Sequence, residues 1–129
     1  MNEAALQQQL CAGAEALGLA LDTTQIQHLL AYQGLIAKWT KVYNLTAVRN
    51  PGDMLTHHLL DSLAIVAPLQ AHLQSMFEPG SKPTLLDVGS GAGLPGVVLA
   101  ICCPALQVSC VDAVNKKATF IRQVALALQ

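Results

Sequence analysis

Asp87 and Asp112 are two carboxylates that each stand where an apolar run ends, and a cluster of glycines lies between them. The stretch Thr84-Leu85-Leu86-Asp87-Val88-Gly89-Ser90-Gly91-Ala92-Gly93-Leu94-Pro95-Gly96 is a short apolar run that breaks into glycines, after which Pro95 opens an apolar helical segment. Strand, glycine turn and helix start in that order make a nucleotide-cofactor loop. Gly91, Gly93 and Gly96 also satisfy the dinucleotide spacing G-x-G-x-x-G, a pattern that alone does not choose among cofactors. Asp87 does discriminate. A carboxylate two residues before the first glycine repels a pyrophosphate and attracts an ammonium or sulfonium group. S-adenosylmethionine carries both cations. Asp112 follows the next apolar run, residues 106–111, at a distance suited to ribose hydroxyls at the tip of a neighbouring strand. The competing reading is that both acids only cap loops and the glycines only make a tight turn. The joint occurrence of strand, glycines, helix-starting proline and second acid favours the cofactor.

The elements that must position these residues are predicted as a strand over 84–88, a helix over 95–103, a strand over 106–111 and a helix over 115–129. This is a βαβα unit whose parallel strands need the crossover helix between them. Upstream, residues 3–17 read as a helix ending at Gly18. Asp22-Thr23-Thr24-Gln25 forms a capping box that opens a second helix. Ile26, Leu29, Leu30, Ile36, Trp39 and Tyr43 fall on one broad face of it, opposite Gln27 and Lys38, so Trp39 reads as core and not as a base-stacking platform. Asn50-Pro51-Gly52-Asp53 starts another helix, with Leu55, Leu59, Leu60, Leu63 and Val66 as its buried stripe. His58, Asp61 and Ser62 stand at three- and four-residue spacings beside that stripe, which makes them neighbours. The turn-rich linker Glu78-Pro79-Gly80-Ser81-Lys82-Pro83 divides a helical region, 1–80, from the glycine-loop region, 81–129.

Composition narrows the function classes. The chain is 53% hydrophobic and 12% charged, enough to bury a core and unlike a disordered segment. Its net charge is −1, so it exerts no global attraction on nucleic acid, and any attraction must be local. Lys38, Lys41 and Arg49 lie in a stretch without acids and can make such a patch, joined by His57 and His58 when protonated. A solvated loop face is the alternative. The four cysteines include no C-x-x-C pair and have no histidine at ligand spacing, which predicts free thiols and no metal. Residues 88–111 carry no charge, but glycines, Pro95 and Pro104 break the run repeatedly, which argues against a membrane span. The N-terminus lacks the basic region of a secretory signal.

The chain resembles the bacterial 16S ribosomal RNA guanine-N7 methyltransferases, the family also called small-subunit methyltransferase G or glucose-inhibited division protein B. The resemblance covers residues 26–128. It rests on Lys38-Trp39 with Tyr43-Asn44-Leu45-Thr46, on His58-Leu59-Leu60-Asp61-Ser62, on the stretch from Leu86 to Gly96, and on Asp112 with Lys116-Lys117 and Phe120-Ile121. The proline within the glycine loop is its most specific mark. Thr40 departs from the asparagine common in the family, and His57 from a basic residue.

The resemblance implies an α/β fold: N-terminal helices followed by the first βαβα of a Rossmann-like class I S-adenosylmethionine-dependent methyltransferase sheet, incomplete in these residues. It implies methyl transfer from S-adenosylmethionine to N7 of a guanine in 16S ribosomal RNA of the small subunit, in the cytoplasm. Asp87, Gly89, Gly91, Gly93, Leu94 and Asp112 would bind cofactor, with Asp112 on the ribose. Lys38, Lys41, Asn44, Arg49, His58 and Asp61 are the candidates for RNA, and no residue is assigned as catalytic acid or base. A seven-stranded sheet is implied against two strands found, so the chain reads as the N-terminal part of such an enzyme and is expected not to methylate RNA by itself. The alternatives are a non-catalytic binding module that keeps the glycine loop as scaffold, and a nicotinamide-linked oxidoreductase, which Asp87 disfavours.

Overall fold

A computed structural model describes residues 2–43, 45–46 and 50–128. The order of elements is α1 (Glu3–Ala16), α2 (Thr23–Tyr43), α3 (Pro51–Met54), a π-helix (Leu55–Leu60), α4 (Asp61–Leu63), α5 (Val66–Met76), β1 (Thr84–Val88), α6 (Gly96–Cys102), β2 (Gln107–Val111) and α7 (Asn115–Leu128). β1 and β2 pair in parallel, with Thr84 opposite Gln107 and Val88 opposite Val111. The architecture is therefore helix-rich α/β with a short parallel pair, consistent with an incomplete methyltransferase sheet.

Local chemistry explains the helix starts. The capping box of α2 forms in full: Gln25 N–H donates to Asp22 Oδ1 at 2.7 Å, and Asp22 N–H donates to Gln25 Oε1 at 3.0 Å. Asn50 caps α3 by accepting from Gly52 and Asp53 N–H, and Pro51 occupies the first turn, where a missing N–H costs no helical bond. Pro68 is tolerated in α5 for the same reason, as the third residue of that helix. Leu55–Leu60 winds more widely than an α-helix.

One apolar cluster runs through both halves of the chain. Leu29 and Ile36 from α2, Leu59 from the π-helix, Val98 from α6 and Phe120 from α7 are buried in it. Trp39 is half-buried against the cluster and meets the Phe120 ring edge-on at 5.4 Å, whereas Tyr43, expected on the same face, is exposed beside Trp39. The parallel pair turns Leu85, Asp87, Val108 and Cys110 towards the helices. Leu86, Val88 and Val111 on its other face are exposed, at 61%, 73% and 45%.

Candidate functional site

The site is built at the carboxyl ends of the two strands, where ligands sit in open α/β sheets. Gly89, Gly91 and Gly93 all have positive φ, so the chain coils tightly between Val88 and α6. The amides of this coil are turned inward. Gly89 and Ser90 N–H both donate to Val111 O, at 2.8 and 3.2 Å, which ties the loop to the end of β2. Gly93 and Leu94 N–H both donate to Ser90 O, at 2.9 and 3.0 Å. Gly91 N–H donates to Asp112 Oδ2 at 2.8 Å, and Gly96 N–H, at the start of α6, donates to Asp87 Oδ2 at 2.9 Å.

Asp87 thus caps α6 from the neighbouring strand. Pro95 precedes the helix without a side chain able to do so, and a carboxylate at a helix start also meets the positive end of the helix dipole. The approach is close, because a Cβ on Gly96 would stand 2.5 Å from Cys110 Sγ and 2.8 Å from Asp87 Oδ2. Only glycine permits it. A Cβ on Gly93 would likewise fall 2.6 Å from Val97 Cγ2, at a φ of +100° that disfavours any side chain.

Asp112 holds two amides, Gly91 N–H through Oδ2 and Val114 N–H through Oδ1, each at 2.8 Å. These bonds, that from Val114 foremost, and the nearby Lys117 ammonium hold its carboxyl below the ordinary 3.8. A depressed pKa means that the charged form stabilises the fold above the unfolded value and that this support is lost as pH falls through the lower folded value. A carbon-detected titration of Asp112 should accordingly show a midpoint below 3.8. A midpoint at or above it would mean that the amides do not hold the carboxylate.

The groups within reach of a ligand suit a cation better than an anion. The helix start and the loop amides from Gly89 to Leu94, except that of Ala92, are already engaged within the chain. A carboxylate oxygen accepts more than one hydrogen bond, so Asp87 and Asp112 keep acceptor capacity for hydroxyl and ammonium donors. Space is open above Gly89 and Gly91, where a Cβ would meet nothing within 4 Å among the described residues.

Sequence reasoning overlooked one residue that touches this loop. Tyr32, wholly buried on α2, donates its hydroxyl to Ala92 O at 2.6 Å. The available signal was its spacing, since Tyr32 lies three residues after Leu29 and four before Ile36.

Two of the RNA candidates lie at the C-terminal end of α2. Lys38 and Lys41 are exposed on its last turns, while Asn44 and Arg49 lie outside the described residues. His58, half-buried on the π-helix, meets Thr46 Oγ1 through Nε2 at 3.0 Å, and burial lowers its pKa. Asp61 is exposed and Ser62 buried, and among the described residues no side-chain hydrogen bond joins His58 to Asp61.

The cysteines are free thiols, with Cys102 pushed up to about 12 by burial. Among the described residues no cluster of His, Cys, Asp and Glu could hold a metal ion, and no helix is long and apolar enough to cross a membrane.

Comparison with known proteins decides among cofactor-loop families. The family model described as GidB, rRNA small subunit methyltransferase G, matches residues 25–129. The chain belongs to that family. It is 63% identical over 131 residues to the Ribosomal RNA small subunit methyltransferase G of Paracidovorax citrulli (strain AAC00-1), covering 97% of this chain and 54% of that protein. To the protein of the same name from Polaromonas naphthalenivorans (strain CJ2) it is 63% identical over 129 residues, covering 99% and 58%. The protein of that name from Leptothrix cholodnii (strain ATCC 51168 / LMG 8142 / SP-6) is 58% identical over 121 residues, covering 93% and 53%. The chain spans about half the length of the curated relatives it matches.

Proposed function

We propose that the complete protein transfers a methyl group from S-adenosylmethionine to N7 of a guanine in 16S ribosomal RNA of the small subunit, as a cytoplasmic enzyme. Family membership supports methyl transfer to ribosomal RNA. The observation that carries the choice of cofactor is the filled anion site: Asp87 caps the helix start that would otherwise receive a pyrophosphate.

When bound, S-adenosylmethionine supplies an electrophilic methyl group. Asp87 and the coil from Gly89 to Leu94 would hold its methionine part, and Asp112 its ribose. Segment 81–129 would then be the N-terminal part of the methyltransferase domain, and the helical region 1–80 its brace and RNA-facing arm. Guanine N7 offers a lone pair and carries no proton, so no side chain is required as a base. The residues present act by orienting the reactants and excluding water.

Calorimetric titration of the complete protein with S-adenosylmethionine and with a nicotinamide dinucleotide tests the assignment. The methyl donor should bind more tightly, and tighter binding of the dinucleotide would reverse the reading.

Lys38 and Lys41 follow Tyr32 on the same helix, so the basic end of α2 lies about 14 Å along the axis from the residue that touches the loop. RNA docked there would bring a nucleotide within reach of the cofactor. Replacing Lys38, Lys41 and Arg49 together by glutamine should reduce methylation of small-subunit particles and flatten its salt dependence, since each lost phosphate contact releases fewer counterions. An unaltered salt slope would assign these residues to a solvated face. His58 and Asp61 are kept as candidates for RNA positioning, and Asn44 as a further one.

A further inference from the structure

We propose that Tyr32 is a positioning residue for the cofactor loop, its hydroxyl fixing the Ala92 carbonyl so that the N-terminal helices set the shape of residues 89–94. The inference rests on the methyl-donor reading of that loop. A phenylalanine would fill the same buried space, so packing alone leaves the hydroxyl without a purpose. Burying an O–H is unfavourable unless it finds an acceptor, and here it finds one at 2.6 Å across 60 residues of sequence.

The acceptor is a carbonyl whose orientation controls the turn. Ala92 C=O and Gly93 N–H belong to one planar peptide, and that N–H donates to Ser90 O at 2.9 Å. Ala92 is itself buried, so without Tyr32 its carbonyl must swing to find another donor. The swing breaks the Gly93 bond and opens the coil between Ser90 and Leu94. Tyr32 also stands against the loop, since a Cβ on Gly93 would come within 3.1 Å of its hydroxyl oxygen.

Helix α2 secures the far end of the same unit. Gln25, two turns before Tyr32, donates Nε2 to Ile101 O at 3.2 Å at the end of α6. One helix therefore grips both the loop before α6 and the last carbonyls of α6. Burial, with Cys110 and Asp87 adding, holds the Tyr32 phenol well above its ordinary 10.0, so the hydroxyl keeps the proton it donates.

The test compares wild type, Tyr32→Phe and Leu29→Ala in the complete protein, by calorimetric binding of S-adenosylmethionine and by hydrogen exchange of residues 89–94 without cofactor. Leu29 is buried on the same helix and serves as the packing control. Tyr32→Phe should weaken binding about tenfold and speed exchange in the loop, the loss of one buried hydrogen bond being converted into loop disorder. Leu29→Ala should lower the melting temperature and leave loop exchange and affinity below the melt unchanged. The proposal is overturned if Tyr32→Phe keeps wild-type affinity and exchange, if both variants lose affinity alike, or if Tyr32→Phe prevents folding altogether. Failure of the wild type to bind S-adenosylmethionine would remove the cofactor reading instead, and the exchange comparison would still judge whether Tyr32 fixes the loop.

Discussion

Asp87→Asn in the complete protein is expected to weaken S-adenosylmethionine binding on the order of 10- to 100-fold while leaving the fold nearly as stable. The two parts of the expectation separate because Asp87 has two tasks. As a cap it needs only an acceptor for Gly96 N–H, and an asparagine oxygen can take the place of Asp87 Oδ2 in the 2.9 Å bond. As a partner for a cationic ligand it needs a full negative charge, and hydrogen bonds to a charged acceptor contribute about 1.5–3 kcal/mol. Asp87→Ala removes both tasks and should cost a further 1–2 kcal/mol or so of stability by leaving the start of α6 uncapped. Calorimetry and urea melts on the pair measure the two losses independently. Equal affinity in wild type and Asp87→Asn would reduce Asp87 to a helix cap.

Gly96→Ala should destabilise the protein by about 2–3 kcal/mol, the cost of forcing a methyl group into a filled space. The added carbon would stand 2.5 Å from Cys110 Sγ and 2.8 Å from Asp87 Oδ2, so α6 must lift from the sheet and lengthen the bond that caps it. The cause is crowding and not backbone strain, because Gly96 is not among the glycines with positive φ. Cys110→Ala should therefore return part of the loss when combined with Gly96→Ala, since it removes one of the two obstructing atoms. Denaturant midpoints of both single variants and the double variant give the coupling. Strict additivity would show that Cys110 is not what Gly96 avoids. A drop in S-adenosylmethionine affinity should accompany the Gly96→Ala lesion, because Asp87 moves with the helix start.

Much of the fold was legible because its signals are local. β1 occupies the predicted 84–88, β2 starts one residue later than predicted, α6 is shorter than predicted by one residue at each end, and Asp22 and Gln25 close the capping box their spacing announces. Capping, turn formation and apolar runs act over three or four residues, so a sequence displays them directly. The same holds for the family resemblance, which is carried by contiguous motifs.

Only the tertiary structure decided how the site is held. Glycine spacing cannot say whether the loop amides face a ligand or the chain; packing of the loop against Val111 and Asp112 turned them inward. A carboxylate before the first glycine could be read for its charge, but its use as the cap of α6 depends on Gly96 lying against β1. Helical spacing sets His58 near Asp61 within its own segment, but only the fold shows that His58 Nε2 meets Thr46 Oγ1, twelve residues earlier. Tyr32 gave no sign of its partner for the most general reason. A hydrogen bond between a helix and a loop 60 residues later exists only once the core has brought them together, and no pattern within either segment records it.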